Sequence, residues 1–138
     1  MRTIFADTFY WTALTSPDDT FYLKALEFSR LLVPDRIITS DDVLVEYLAF
    51  FAKAGPSVRA QAGRLVARLL QDPRVVVVPQ SHELFLDALD LYRGRPDKSY
   101  SLTDCISMLI MRRQGITGIL THDRHFEQEG FRALFRDS

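Results

Sequence analysis

Pro73-Arg74-Val75-Val76-Val77-Val78-Pro79 sets four valines in a row between two prolines. A strand with one wet face alternates apolar and polar residues. This run alternates nothing, so it reads as a strand covered on both faces, in the middle of a parallel sheet. The flanking sequence supplies the helices that such a sheet needs. Upstream, Ser57 opens a helix that turns Ala62, Leu65, Val66, Leu69 and Leu70 inward and Arg59, Arg64 and Arg68 to water. Before it, Thr39-Ser40-Asp41-Asp42 is a helix start, with Thr39 and Asp42 at capping-box spacing. The helix it opens carries Val43, Leu44, Tyr47, Leu48 and Phe51 as its apolar stripe and stops at Gly55-Pro56. Arg36–Thr39 ahead of it reads as a strand.

Further out the alternation continues. Thr3–Ala6 is a first strand, followed by a short helical turn over Asp7–Trp11. Beyond the loop at Ser16-Pro17-Asp18-Asp19, Phe21, Ala25, Leu26, Phe28 and Leu32 recur at helical spacing. Downstream of the valines, Ser81 starts a helix to about Tyr92. Gly94–Tyr100 is a polar loop, Ser101–Gln114 a helix ended by Gly115, Gly118–Thr121 a strand and Phe131–Phe135 an edge strand. Strand–helix alternation along the whole chain predicts an α/β fold, a parallel sheet with helices on both faces.

With 138 residues and no visible linker, residues 1–138 are expected to form a single domain. A hydrophobic content of 47% is enough for a core. Seventeen Lys and Arg against 18 Asp and Glu neither announce nor exclude a nucleic-acid binder, since binding depends on where the charges sit. The single cysteine, Cys105, forbids an internal disulfide and fits a reducing cytosol; its simplest role is to pack as a small apolar residue. Met1–Asp7 lacks the pattern of a signal peptide, and no stretch has the length of a membrane helix. A cytoplasmic location is expected.

The acids fall where a parallel sheet would gather them. Asp7 directly follows the first strand, and Asp123 lies one residue beyond Gly118–Thr121. Carboxyl ends of parallel strands share one edge, and open α/β sheets bind ligands there, near a topological switch point. Asp104 lies in the first turn of a helix that runs antiparallel to the strands, so it starts at the same edge. Glu46 sits beside the apolar stripe of its helix, where a carboxylate needs a partner, either a divalent metal or an arginine. Clustered carboxylates repel unless a cation sits among them, and oxygen ligands suit Mg²⁺ or Mn²⁺. Such a site can polarise a phosphate and activate water against it. Zinc-like Cys/His spacing, GxxxxGK[ST] and GxGxxG are all missing.

Each of these residues also has a plainer role. Asp7 can cap the following turn, Asp104 can close a Ser101-x-x-Asp104 capping box, Asp123 can be a turn residue, and Glu46 can pair with a surface cation. Thr8 and Thr121 flank the cluster, with hydroxyls that either orient an acid, a water or a phosphate or serve the turns. His122 and His125 lie near Asp123 and read as solvent-facing or structural. Phe126 and Phe131 read as core.

Asp7-Thr8 after the first strand, Glu46 one helix later, Ser101-Leu102-Thr103-Asp104-Cys105 opening a late helix, and Thr121-x-Asp123-x-x-Phe126 after the next strand resemble the PIN domain. The segment from Asp97 to Phe131, with His125-Phe126 and Gly130-Phe131, carries most of the specificity. The resemblance implies a three-layer α/β/α sandwich with a parallel sheet of four or five strands, and a metal-dependent endoribonuclease. It maps the family's acids onto Asp7, Glu46, Asp104 and Asp123, as metal ligands and catalytic residues for one or two Mg²⁺ or Mn²⁺ ions. Its assisting hydroxyl falls on Thr121, with Thr8 beside the substrate. Members of this size resemble the toxin half of a VapC-type toxin–antitoxin pair. That implies an RNA substrate, a cognate antitoxin and a homodimer, which exposed apolars at Tyr22, Phe50, Phe51 and Tyr92 would also favour. Arg95, Lys98 and Arg124 are the cations expected to meet the RNA backbone. The main rival is a PIN fold kept as a non-catalytic RNA- or protein-binding module, against which four intact acids argue. A HAD-type phosphatase would need an Asp where Phe9 stands, and a receiver domain would need one after the valine strand, where Pro79-Gln80 follows.

Overall fold

The computed structural model describes residues 2–137. Five strands form one all-parallel sheet: β1 (Thr3–Ala6), β2 (Arg36–Ser40), β3 (Val75–Val78), β4 (Gly118–Leu120) and β5 (Arg132–Ala133). Their spatial order is β3-β2-β1-β4-β5. Helices α1 (Thr8–Thr15), α2 (Tyr22–Leu31), α3 (Asp41–Phe50), α4 (Pro56–Leu69), α5 (His82–Arg93), α6 (Leu102–Gln114) and α7 (Arg124–Gln128) cover the sheet and complete the α/β/α sandwich. No helix of the described residues is long and apolar enough to cross a membrane.

The strand order fixes where a ligand can sit. From β1 the chain steps outward to β2 and β3, then crosses back to add β4 and β5 on the other side of β1. Strand order therefore reverses between β1 and β4, whose register pairs Phe5 with Ile119 and Ala6 with Leu120. The crevice beyond their carboxyl ends is the switch point of the sheet.

The same path corrects the reading of the valines. Val75–Val78 pairs with β2 alone, through Ile37↔Val75 to Ser40↔Val78, and is an edge strand rather than a central one. None of the four valines is fully buried, and Val76 is 37% exposed. The unbroken apolar run reports partial cover on both faces. Lateral position in the sheet depends on where the crossovers lead, which the run does not encode.

Local chemistry sets the helix starts. Ser40 rather than Thr39 caps α3, its hydroxyl accepting from the Val43 N–H at 3.1 Å. Thr39 belongs to β2, where its fully buried hydroxyl donates to the Ala6 carbonyl at 2.9 Å and accepts from Trp11 Nε1 at 3.3 Å. The segment after Asp7 is a full eight-residue helix, not a single turn, because Tyr10, Trp11, Thr12, Ala13 and Thr15 are buried along it. Thr15 and Tyr47 join α1 to α3 through a hydroxyl pair at 2.6 Å. Leu70 and Leu48, read as inward, are exposed. Gly115, at φ +67, ends α6 in a left-handed turn that no β-carbon would favour, and leads the chain into β4.

Candidate active site

Asp7 stands at the N-cap position of α1, yet its side chain makes no capping hydrogen bond. Its Oδ2 instead accepts from the Thr121 hydroxyl at 2.9 Å, across the β1–β4 switch point. Thr121 is fully buried one residue past β4, and its Oγ1 also accepts from the Asp123 N–H at 3.2 Å. One hydroxyl thus ties together the two acids that follow adjacent strands. Burial raises the Asp7 carboxyl to about 7; the negative Asp104 and Glu46 add to that rise, and the Thr121 hydrogen bond opposes it.

Asp104 closes the capping box of α6: Asp104 N–H donates to Ser101 Oγ, and Ser101 N–H donates to Asp104 Oδ2, both at 3.0 Å. Burial raises its carboxyl too; the charge of Asp123 adds to this, while the Ser101 N–H and His125 oppose it. Capping and clustering coexist here. The box holds the carboxylate at the helix start, which is the sheet edge where Asp7 lies.

Asp123 caps α7, with Oδ1 accepting from the His125 N–H at 2.9 Å. Glu46 is half-buried on α3 and accepts from the Thr8 hydroxyl at 2.5 Å. No cation pairs with Glu46 among the described residues, so the surface ion-pair role is not the one it plays. Thr8 orients an acid from the first turn of α1.

His125 belongs in this group as well. Its Nδ1 lies 3.2 Å from Asp123 Oδ1 and 3.4 Å from Asp104 Oδ2. From the sequence it reads as solvent-facing or structural. The available signal was its place two residues after an N-capping aspartate, which folds the ring back over the cap. His122, its neighbour, packs instead on Phe21 and Phe9. Cys105, Phe126 and Phe131 are core residues, and burial pushes the Cys105 thiol up to about 11.

The expected RNA-facing cations differ in their commitments. Arg95 is bound to Glu129 through two hydrogen bonds, the shorter at 3.0 Å. Arg112 meets the same carboxylate at 2.7 Å, and the Tyr100 hydroxyl donates to it at 2.9 Å. Among the described residues Lys98 reaches only its neighbour Asp97, at 3.8 Å. Arg124, directly after Asp123, is exposed and makes no ion pair among the described residues.

The donor set fits a divalent cation. Ligand atoms of Asp104, Asp123 and His125 all lie within 4.8 Å of one another, and the charges of Asp104 and Glu46 reach Asp7 and raise its carboxyl. Oxygen donors with one imidazole suit a divalent metal ion, which would relieve the repulsion. The sequence pattern that defines the PIN domain matches residues 4–131. Among solved structures, the chain is similar to VapC20 of Mycobacterium tuberculosis, a sarcin-ricin loop cleaving toxin. The TM-score is 0.81 and the identity 26%, over 93% of this chain and 95% of that one. No curated protein matches the sequence. With its switch-point acids, its parallel sheet and this match over nearly its whole length, the chain belongs to the PIN domain family.

Proposed function

We propose that this protein is a metal-dependent endoribonuclease and the toxin of a VapC-type toxin–antitoxin pair. Asp7, Glu46, Asp104 and Asp123 would hold Mg²⁺ or Mn²⁺, one or two ions. The observation that carries this reading is electrostatic: acids from positions 7 to 123 converge at one sheet edge, and Asp7 there is raised to about 7 by burial and by Asp104. Such a cluster is unfavourable without positive charge. Held by these residues, a divalent cation would supply that charge and, with it, polarisation of a phosphodiester and stabilisation of the charge developing on its oxygens. Thr121 holds Asp7 in orientation, and Thr8 does the same for Glu46. RNA as substrate is supported by the similarity to VapC20, and the phosphate backbone would meet Arg124 and Lys98 at the rim. Arg95 can join them only by leaving Glu129.

The test is cleavage of RNA in Mg²⁺ or Mn²⁺ by Asp7→Asn and Asp104→Asn proteins, with folding checked by circular dichroism. Both should lose at least about a hundredfold in rate, the effect typical of removing one preorganised charge-stabilising group. Folded variants that cut at the wild-type rate would refute the site.

A further inference from the structure

Resting on that reading, we propose that His125 is a nitrogen ligand of the same cation site, and that the site consequently prefers Mn²⁺ to Mg²⁺. The acids alone would make an all-oxygen site. His125 changes its chemistry, because its Nδ1 faces the Asp123 and Asp104 oxygens at 3.2 and 3.4 Å, and all three ligand atoms fall within the span of one coordination sphere.

The ring is held for this task on two sides. In front, the His125 N–H donates to Asp123 Oδ1, which fixes the backbone beside the carboxylate. Behind, Tyr100 packs edge-on against the imidazole at 5.2 Å. Tyr100 is itself anchored through its hydroxyl to Glu129, which Arg95 and Arg112 clamp. A surface histidine free to rotate would have no such support. Ligand residues of metal sites typically do, because outer partners fix ring orientation. Imidazole is a poor partner for Mg²⁺, which is small, hard and slow to give up water, and a better one for transition-metal ions.

The experiment is metal binding, read separately from RNA cleavage. Mn²⁺ is titrated into the wild-type protein and followed by its electron spin resonance, with Mg²⁺ as competitor. Protein labelled with ¹⁵N-histidine serves to detect a nitrogen on the bound ion by spin-echo modulation. The chain has only three histidines, and the His125→Ala protein assigns the signal. A nitrogen signal is expected in the wild type and should vanish in His125→Ala. Mn²⁺ affinity should fall at least about tenfold, the lower end of what even an outer partner of a ligand contributes, while Mg²⁺ affinity changes less. His125→Gln keeps a polar side chain there and guards against a folding defect; it should show the same loss. Wild-type protein that binds Mn²⁺ with no nitrogen signal, while Asp104→Asn still weakens binding, overturns the histidine and leaves the acidic site standing. Equal losses for Mn²⁺ and Mg²⁺ in His125→Ala overturn the preference. Wild-type protein that binds neither ion at millimolar concentration overturns the proposed function along with it.

Discussion

Asp7 joins the metal-holding role proposed for it to a stability penalty. Its carboxyl titrates at 3.8 in an unfolded chain and near 7 in the fold. Between those values the folded form keeps a proton that the unfolded chain has released. Without metal, stability therefore falls as pH rises from about 4 to 7 and stays low above it. The full effect is on the order of 4 kcal/mol. Asp7→Asn should flatten this dependence and raise the melting temperature at pH 8 in EDTA, measured by thermal unfolding at pH 5 and pH 8. A steeper loss than wild type at pH 8 would mean that the charged carboxylate stabilises the fold. Thr121→Val tests the neighbouring hydroxyl: it removes the donor to Asp7 and leaves the Asp123 N–H unpaired. It should cost about 1–3 kcal/mol in urea denaturation and also slow RNA cleavage. Unchanged cleavage would make the hydroxyl purely structural.

At the scale of elements, Glu129 is the joint between the loop before α6, α6 itself and the turn after α7. Burial alone would raise its carboxyl, but hydrogen bonds from Arg95, Arg112 and Tyr100 outweigh that and pull it down to about 2. The stabilisation it contributes is present above its unfolded value of 4.5 and is lost as pH falls toward 2. Glu129→Gln should cost roughly 2–3 kcal/mol at neutral pH and less than half of that at pH 3, readable from denaturant midpoints at the two pH values. An equal loss at both would assign the effect to packing. The edge strand β3 is the other element worth weighing. It is four residues long and bounded by Pro73 and Pro79, features that discourage a further strand from pairing on its open side.

Over the whole molecule, apolar side chains remain on the surface. Phe50 is 68% exposed and Tyr92 49% exposed, so two of the four residues expected to drive pairing are available. Phe51 is buried and Tyr22 half-buried, and these two serve the fold itself. Val45 and Leu48 share α3 with Phe50 and are exposed as well. If these exposed side chains pair two copies, light scattering should report a dimer at micromolar concentration, and Phe50→Arg should shift it to monomer. A wild-type monomer would end that proposal.

Sequence alone determined the alternation of strands and helices, the capping box at Ser101 and Asp104, and the placing of acids after strands and at helix starts, because these rest on local propensity, hydrophobic period and motif spacing. It also carried the family, through the order of its acids along the chain. The lateral order of the strands, the edge position of the valines and the inclusion of His125 were decided only in three dimensions. The valine run encodes burial of its faces, but strand order depends on where each crossover returns, a matter of packing between distant segments. His125 looks like any surface histidine until the turn of α7 brings its ring against an aspartate from another helix. Asp104 and His125 are 21 positions apart, and only the joining of α6 to α7 through Glu129 sets them within reach of one cation.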